Sequence, residues 1–249
     1  MNKLDLSLVP VDFQPVGHVY SIDGQTVPSV TQVISVREKS WVTPWHLKRA
    51  REYMIKHFRP ETKYTLVEIQ NMVMEASKAA DAESNVAKVI GTDVHDLIKG
   101  YLETGVMAPV QGTKAEASID KFLAWEKQHN IVWLASELRM GSRQHMVAGT
   151  IDFIALIDCK LTLGDFKTSA RFSDDHYLQT AGYQMMLEEA DSQNQYKIAQ
   201  RMVVRLPKDG SPTETEIVPN KYAFDRDGFL AALKLYRWNL KAAGAWANL

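Results

Sequence analysis

The hydrophobic and polar positions of the chain change period twice. From residue 17, "GHVYSIDGQTVPSVTQVIS" alternates apolar and polar residues about Asp23-Gly24, a pair suited to the turn of a short β-hairpin, and a helix is expected to begin near Ser29 or Thr31. From about 65 to 130 the period is helical. In "GTDVHDLIKGYLE", Val94, Leu97, Ile98, Tyr101 and Leu102 fall on one face, and Thr92 offers an N-cap. After Asn130 the period shortens to two. "IVWLASELRM", "MVAGTIDFIALI" and "KLTLGDFKTS" predict a three-stranded antiparallel meander, with turns at Gly141-Ser142 and at Asp158 to Lys160. A helix is expected in "SDDHYLQTAGYQMMLEEA", a long strand in "YKIAQRMVVRLP", a turn at "KDGSP" and a final helix in "RDGFLAALKLYRWNLKAAGAWA", with Trp238 and Trp246 on its apolar face as core residues.

These elements predict an α/β protein of the α+β type, a mixed sheet flanked by helices with an N-terminal helical region. The expected division is an N-terminal hairpin and lead-in over 1–36, a helical region over 37–130 and a core over 131–249. At 249 residues and 45% hydrophobic, the chain can bury a substantial core. Its start lacks the charged-then-apolar pattern of a signal peptide, and no run of 18 apolar residues occurs, so a cytoplasmic location and no membrane partner are expected. One cysteine, Cys159, excludes an internal disulfide, a cysteine-based zinc site and an iron-sulfur cluster. A net charge of -1 gives no global reason for a polyanionic partner, so any nucleic-acid surface must be local.

One such cluster exists. Residues 37–64 carry eight Lys/Arg against three Glu, interleaved with Trp41, Trp45, Tyr53, Phe58 and Tyr64. That mixture suits single-stranded nucleic acid, cations following phosphates and rings stacking on bases. It equally suits an amphipathic helix whose rings are core and whose cations are solvated.

An acid two residues before a lysine occurs at Glu61/Lys63, Asp158/Lys160 and Asp165/Lys167, and of these only the third lies in an apolar strand. A period of two sends Asp165 and Lys167 to one face and Phe166 to the other. Unpaired charges there are costly, and for one pair alone an ion pair that fixes strand register would suffice. The preceding strand adds Asp152, which a turn at 158–160 brings close to a cross-strand position from Asp165, and the strand before adds Glu137. Three carboxylates converging on one patch repel and require a cation, and an oxygen-rich site suits Mg²⁺ or Mn²⁺. Such an ion lowers the pKa of a bound water for attack on phosphorus, with Lys167 placed to orient the water or to stabilise developing charge.

In order and spacing, "GTDVH", "SE", "GTID", "GDFKTS" and "LQTAGYQ" resemble the PD-(D/E)XK nuclease superfamily in its RecB-like branch. The hairpin "YSIDGQTVPSVTQVI" and "VVRLPKDGSP" look most like the mitochondrial genome maintenance exonucleases and their phage-encoded relatives. The resemblance implies a restriction-endonuclease-like core. It implies metal ligands at His95, Asp152, Asp165 and the backbone carbonyl of Phe166, for one or two Mg²⁺ or Mn²⁺ ions. Lys167 would be the catalytic lysine, with Glu137, Gln179 and Tyr183 completing the catalytic set. A histidine beside carboxylates makes the site more tolerant of Mn²⁺. The remaining histidines, His176 among them, read as surface or packing residues.

The expected DNA contacts are Arg37, Trp41, Trp45, Lys48, Arg49 and Arg51, together with Thr168 and Ser169. The implied activity is a DNA exonuclease on single strands or strand ends, in phage or prophage recombination, replication or end-processing in a bacterial host cell. A single-strand annealing or binding protein is the implied protein partner. A double-strand-specific recombination exonuclease and a structure-selective endonuclease share the same residues. A non-catalytic DNA-binding module and a structural Ca²⁺ site remain the alternatives outside enzymes.

Overall fold

The computed structural model describes residues 2–37, 42–169, 171–209, 211–219 and 221–242. The chain forms two compact units, one of Met1–Arg37 with Val94–Leu249 and one of Glu38–Asp93. The helical region expected over 37–130 is therefore divided, residues 94–130 belonging with the sheet.

The first unit opens with a three-stranded antiparallel sheet, β1 (Asp12–Gln14), β2 (Val19–Ile22) and β3 (Gln25–Val27). Asp23 and Gly24 both have positive φ, 51° and 79°, the twist that a two-residue hairpin turn needs. Ser29 caps the short helix α1 (Val30–Ile34): its Oγ accepts from Gln32 N–H while Gln32 accepts from Ser29 N–H.

In the second unit, α2 (Val42–His57) buries none of its residues. The boundary between units falls within α3 (Leu66–Thr104), a helix of 39 residues started by a Thr65/Glu68 capping box. Thr92 is thus not an N-cap. Its hydroxyl donates back to Lys88 O at 3.3 Å, which leaves the helix intact through Gly91.

Beyond α3, α4 (Glu116–Gln128) leads to the main sheet, ordered β4 (Ile131–Ser142), β5 (Val147–Ile157), β6 (Lys160–Lys167), β7 (Gln200–Arg205) and β8 (Glu214–Ile217). The expected meander is present as β4–β5–β6. Its first turn lies later than Gly141-Ser142, which remain paired in the strand with Ala148 and Val147. β7 joins β6 in parallel after a crossover through α5 (Asp175–Ala190), so the sheet is mixed. The expected strand over 196–207 is confined to Gln200–Arg205, and the last helix, α6 (Tyr222–Ala242), begins before Arg226. Trp238 is 63% exposed and is not core; Trp246 lies outside the described residues.

One sheet face packs on α5, α1 and α6 through Leu138, Ile154, Leu163, Tyr183, Met186, Phe229 and Leu233. Because α5 buries residues around its whole circumference, polar groups on it are held where the fold puts them. The other face carries Phe153, Phe166 and Trp133 against Phe122 and Trp125 of α4. Among the described residues, no helix is long and apolar enough to cross a membrane.

Candidate metal centre

The two-residue turn at Asp158 and Cys159, both with positive φ, sets the β5–β6 register at Ile157↔Lys160 through Phe153↔Gly164. Asp152 and Asp165 each lie one residue beyond the Phe153↔Gly164 pair, and Lys160, expected in the turn, is instead paired in β6. Asp165 is fully buried and Asp152 nearly so. Phe166 turns to the opposite face, into the aromatic layer, and its amide N–H donates to Asp152 Oδ2 at 2.7 Å.

Glu137 arrives from β4 in a left-handed conformation, φ 48°, flanked by the regular pairs Ser136↔Phe153 and Leu138↔Ile151. A non-glycine residue in that region stores strain, on the order of 1–2 kcal/mol. His95 comes from the last part of α3, one residue after the fully buried Val94. Its Nδ1 stands 3.5 Å from Asp152 Oδ2 and 3.6 Å from Glu137 Oε1. One ligand atom from each of His95, Glu137 and Asp152 lies within 4.8 Å of the others. Glu137, expected as a catalytic acid, thus also stands among the possible ligands.

Asp165 is engaged differently. Lys167 Nζ lies 3.0 Å from its Oδ1 and 2.8 Å from its Oδ2, and Gln179 Nε2 donates to Oδ1 at 2.9 Å. The second hydrogen of that amide goes to Tyr183 Oη at 3.0 Å. Residues 179 and 183 therefore act from one face of α5, as their spacing of four requires. Asp165 Oδ2, close to Lys167, receives no aligned hydrogen bond despite its burial.

The groups of the site act strongly on one another's protonation. Burial alone would lower the His95 pKa, but the Asp152 and Glu137 carboxylates outweigh it and hold the imidazole at about 9. Burial pushes Asp152 up to about 7; His95 opposes that, while Asp165 and Glu137 add to it. Burial works against the Lys167 ammonium, yet Asp165 and Asp152 raise its pKa overall. Burial, with Asp165 and Asp152, sends the Tyr183 hydroxyl well above its ordinary range. His95, Glu137 and Asp152 offer one imidazole nitrogen and two carboxylate oxygens, a donor set that fits a divalent ion once the imidazole proton is displaced.

The expected DNA contacts fall in both units. Arg37 is ion-paired with Asp175 at 2.5 Å. Thr168 and Ser169 follow Lys167 directly, and Ser169 Oγ donates to Arg171 O. In the second unit Arg49 bonds Glu52 at 2.8 Å and Glu83 at 3.1 Å and sits over the Trp45 ring, Lys48 is 3.9 Å from Glu52, and Arg51 is exposed. Trp41 lies outside the described residues.

Two residues near the centre were not foreseen. Tyr20 of the small sheet shares a hydrogen bond with Thr150 of β5 at 2.9 Å, and burial raises its pKa, with Glu137 and Asp152 contributing. Its inward place in the alternation of "VYSI" was the available signal. The second is His176, 8% exposed in the first turn of α5.

No family model and no curated protein matches the chain. Among solved structures it is similar to one titled "Crystal structure of SSO0001", at 13% identity over 79% of this chain and 87% of that one, with a TM-score of 0.31.

Proposed function

We propose that the protein is a metal-dependent deoxyribonuclease of the PD-(D/E)XK class, RecB-like branch, hydrolysing phosphodiester bonds in single-stranded DNA or at strand ends. The observation that carries this reading is the convergence of His95, Glu137 and Asp152 within 4.8 Å, beside an Asp165 carboxylate held by Lys167 and Gln179. His95, Asp152 and Asp165 are the residues to hold Mg²⁺ or Mn²⁺, with Glu137 in reach. A bound ion there supplies phosphate polarisation and a more acidic water.

The chain's own groups do the rest. Lys167, kept as an ammonium by Asp165 and Asp152, offers N–H donors to charge growing on the phosphate oxygens. Gln179 spends both amide hydrogens fixing Asp165 and Tyr183, so the carboxylate does not turn away when the ion is absent. Phe166 N–H fixes Asp152 in the same way. DNA end-processing in phage or prophage recombination or replication is the setting this resemblance suggests.

The test uses 5′- and 3′-labelled single strands and blunt duplexes, with Mg²⁺, Mn²⁺ or EDTA, for wild type and Asp165→Ala. Metal-dependent shortening of single strands by wild type alone is expected. Intact DNA in every wild-type lane, or equal cleavage by the variant, ends the proposal.

A further inference from the structure

We propose that His176 is a substrate-contacting residue, its Nε2–H donating a hydrogen bond to a non-bridging oxygen of the scissile phosphate next to Lys167; this rests on the phosphodiesterase reading above. His176, Gln179 and Tyr183 stand at i, i+3 and i+7, so one face of α5 presents all three, and each is buried. The ring's tautomer follows from its neighbour. Ser173 N–H donates to Nδ1 at 3.3 Å, which leaves the proton of a neutral imidazole on Nε2.

Nε2 has no hydrogen-bond partner among the described residues, yet it is not one of the sealed polar atoms lacking one, so it opens to solvent from an otherwise buried ring. Asp165, the carboxylate acting most strongly on the ring, has its Oδ1 engaged by both Lys167 and Gln179 and its Oδ2 ion-paired with Lys167 at 2.8 Å. Burial depresses the imidazole's pKa, with Asp165 and Lys167 the strongest charges acting on it. A neutral donor has a specific merit here. It can bind an anionic oxygen without competing with Lys167 for Asp165, as a second cation would.

The experiment compares His176→Gln, whose amide nitrogen can take the Nε2 position, with His176→Met, which fills similar volume without a donor. Single-turnover cleavage of a labelled single strand is measured with Mn²⁺, well below the lower of the two melting temperatures. The Met variant is expected to slow by about ten- to a hundredfold, the scale for a hydrogen bond to a charged group, while Gln stays within about threefold of wild type. Wild type should also discriminate between the two phosphorothioate diastereomers at the scissile position, and the Met variant should lose part of that discrimination. Met and Gln variants that cleave alike, with unchanged diastereomer preference, overturn the proposal. An inactive wild type overturns the nuclease reading and this inference with it, whereas an active wild type matched by the Met variant overturns this inference alone.

Discussion

The amide hydrogen of Phe166 is bonded to Asp152 Oδ2 at 2.7 Å, so the backbone of the strand bearing Lys167 holds the carboxylate that faces His95. Metal binding should therefore be visible in stability as well as in cleavage. Mn²⁺ at a hundred times its Kd should raise wild-type stability by about 2.7 kcal/mol. Asp152→Asn, which keeps an acceptor for Phe166 but removes the charge, should fold and lose that increment. Thermal melts of both proteins, with Mn²⁺ and with EDTA, check this; an equal metal-induced shift in the variant would exclude Asp152 as a ligand.

The pH dependence of the metal-free protein follows from His95. Its folded pKa, about 9, lies above its ordinary 6.5, so the stability it contributes is fully present below pH 6.5 and is lost as pH rises through 9. Asp152, raised from 3.8 to about 7 chiefly by burial, acts with the same sign over a lower window: its contribution is present below pH 3.8 and gone above 7. Melting temperature in EDTA should thus fall from pH 6.5 to 9 in wild type and be flatter in His95→Asn. Mn²⁺ affinity should rise over the same interval, because the ion displaces the His95 proton. Calorimetric titration at pH 6.5 and 8.5 measures it.

Glu137 combines a carboxylate of the candidate metal centre with an unfavourable backbone, φ 48°. Glycine accepts that conformation and alanine does not. Glu137→Gly should therefore be more stable than Glu137→Ala by about 1 kcal/mol in urea denaturation. Both should lose cleavage activity to a similar degree. Equal stability would mean that the backbone relaxes out of the left-handed region in one of them.

Much of this geometry was legible before the structure. A turn expected at Asp158 to Lys160 put Asp152 and Asp165 close to each other across the hairpin, and a spacing of four leaves one face for Gln179 and Tyr183. Both are local rules of period and turn length. What escaped was set by distant packing. Nothing near Glu137 announces a positive φ, and Tyr20 meets Thr150 across 130 residues of chain. Thr92 offers an N-cap just before the periodic run from Val94, but a helix started at Thr65 continues through Gly91 at modest cost. The strands β1 and β8, three and four residues long, are too short to show a period.

The Gln179 amide links two partners at once, Asp165 and Tyr183. Removing either end should loosen the same constraint. Gln179→Ala and Tyr183→Phe should each lower single-turnover cleavage, the first more, by about tenfold or above. The double variant should fall short of the product of the two, since residues in one network are not independent. Multiplicative losses would show that Gln179 and Tyr183 serve the site separately.

Gly164, one residue before Asp165, has Phe153 lying directly against it: a Cβ built there would stand 1.8 Å from Phe153 Cζ. Phe153 is fully buried among Trp125, Trp133 and Phe166, so the ring cannot swing away without disturbing the aromatic layer. Gly164→Ala should cost about 3 kcal/mol, at the upper end for overpacking a core. The cause is testable by repair. Phe153→Leu removes the clashing atoms, so its cost and that of Gly164→Ala should not add; the double variant should be more stable than Gly164→Ala alone. Urea denaturation of the two single variants and the double gives the coupling directly. Additive losses would mean that glycine is needed at 164 for some reason other than the approach of Phe153.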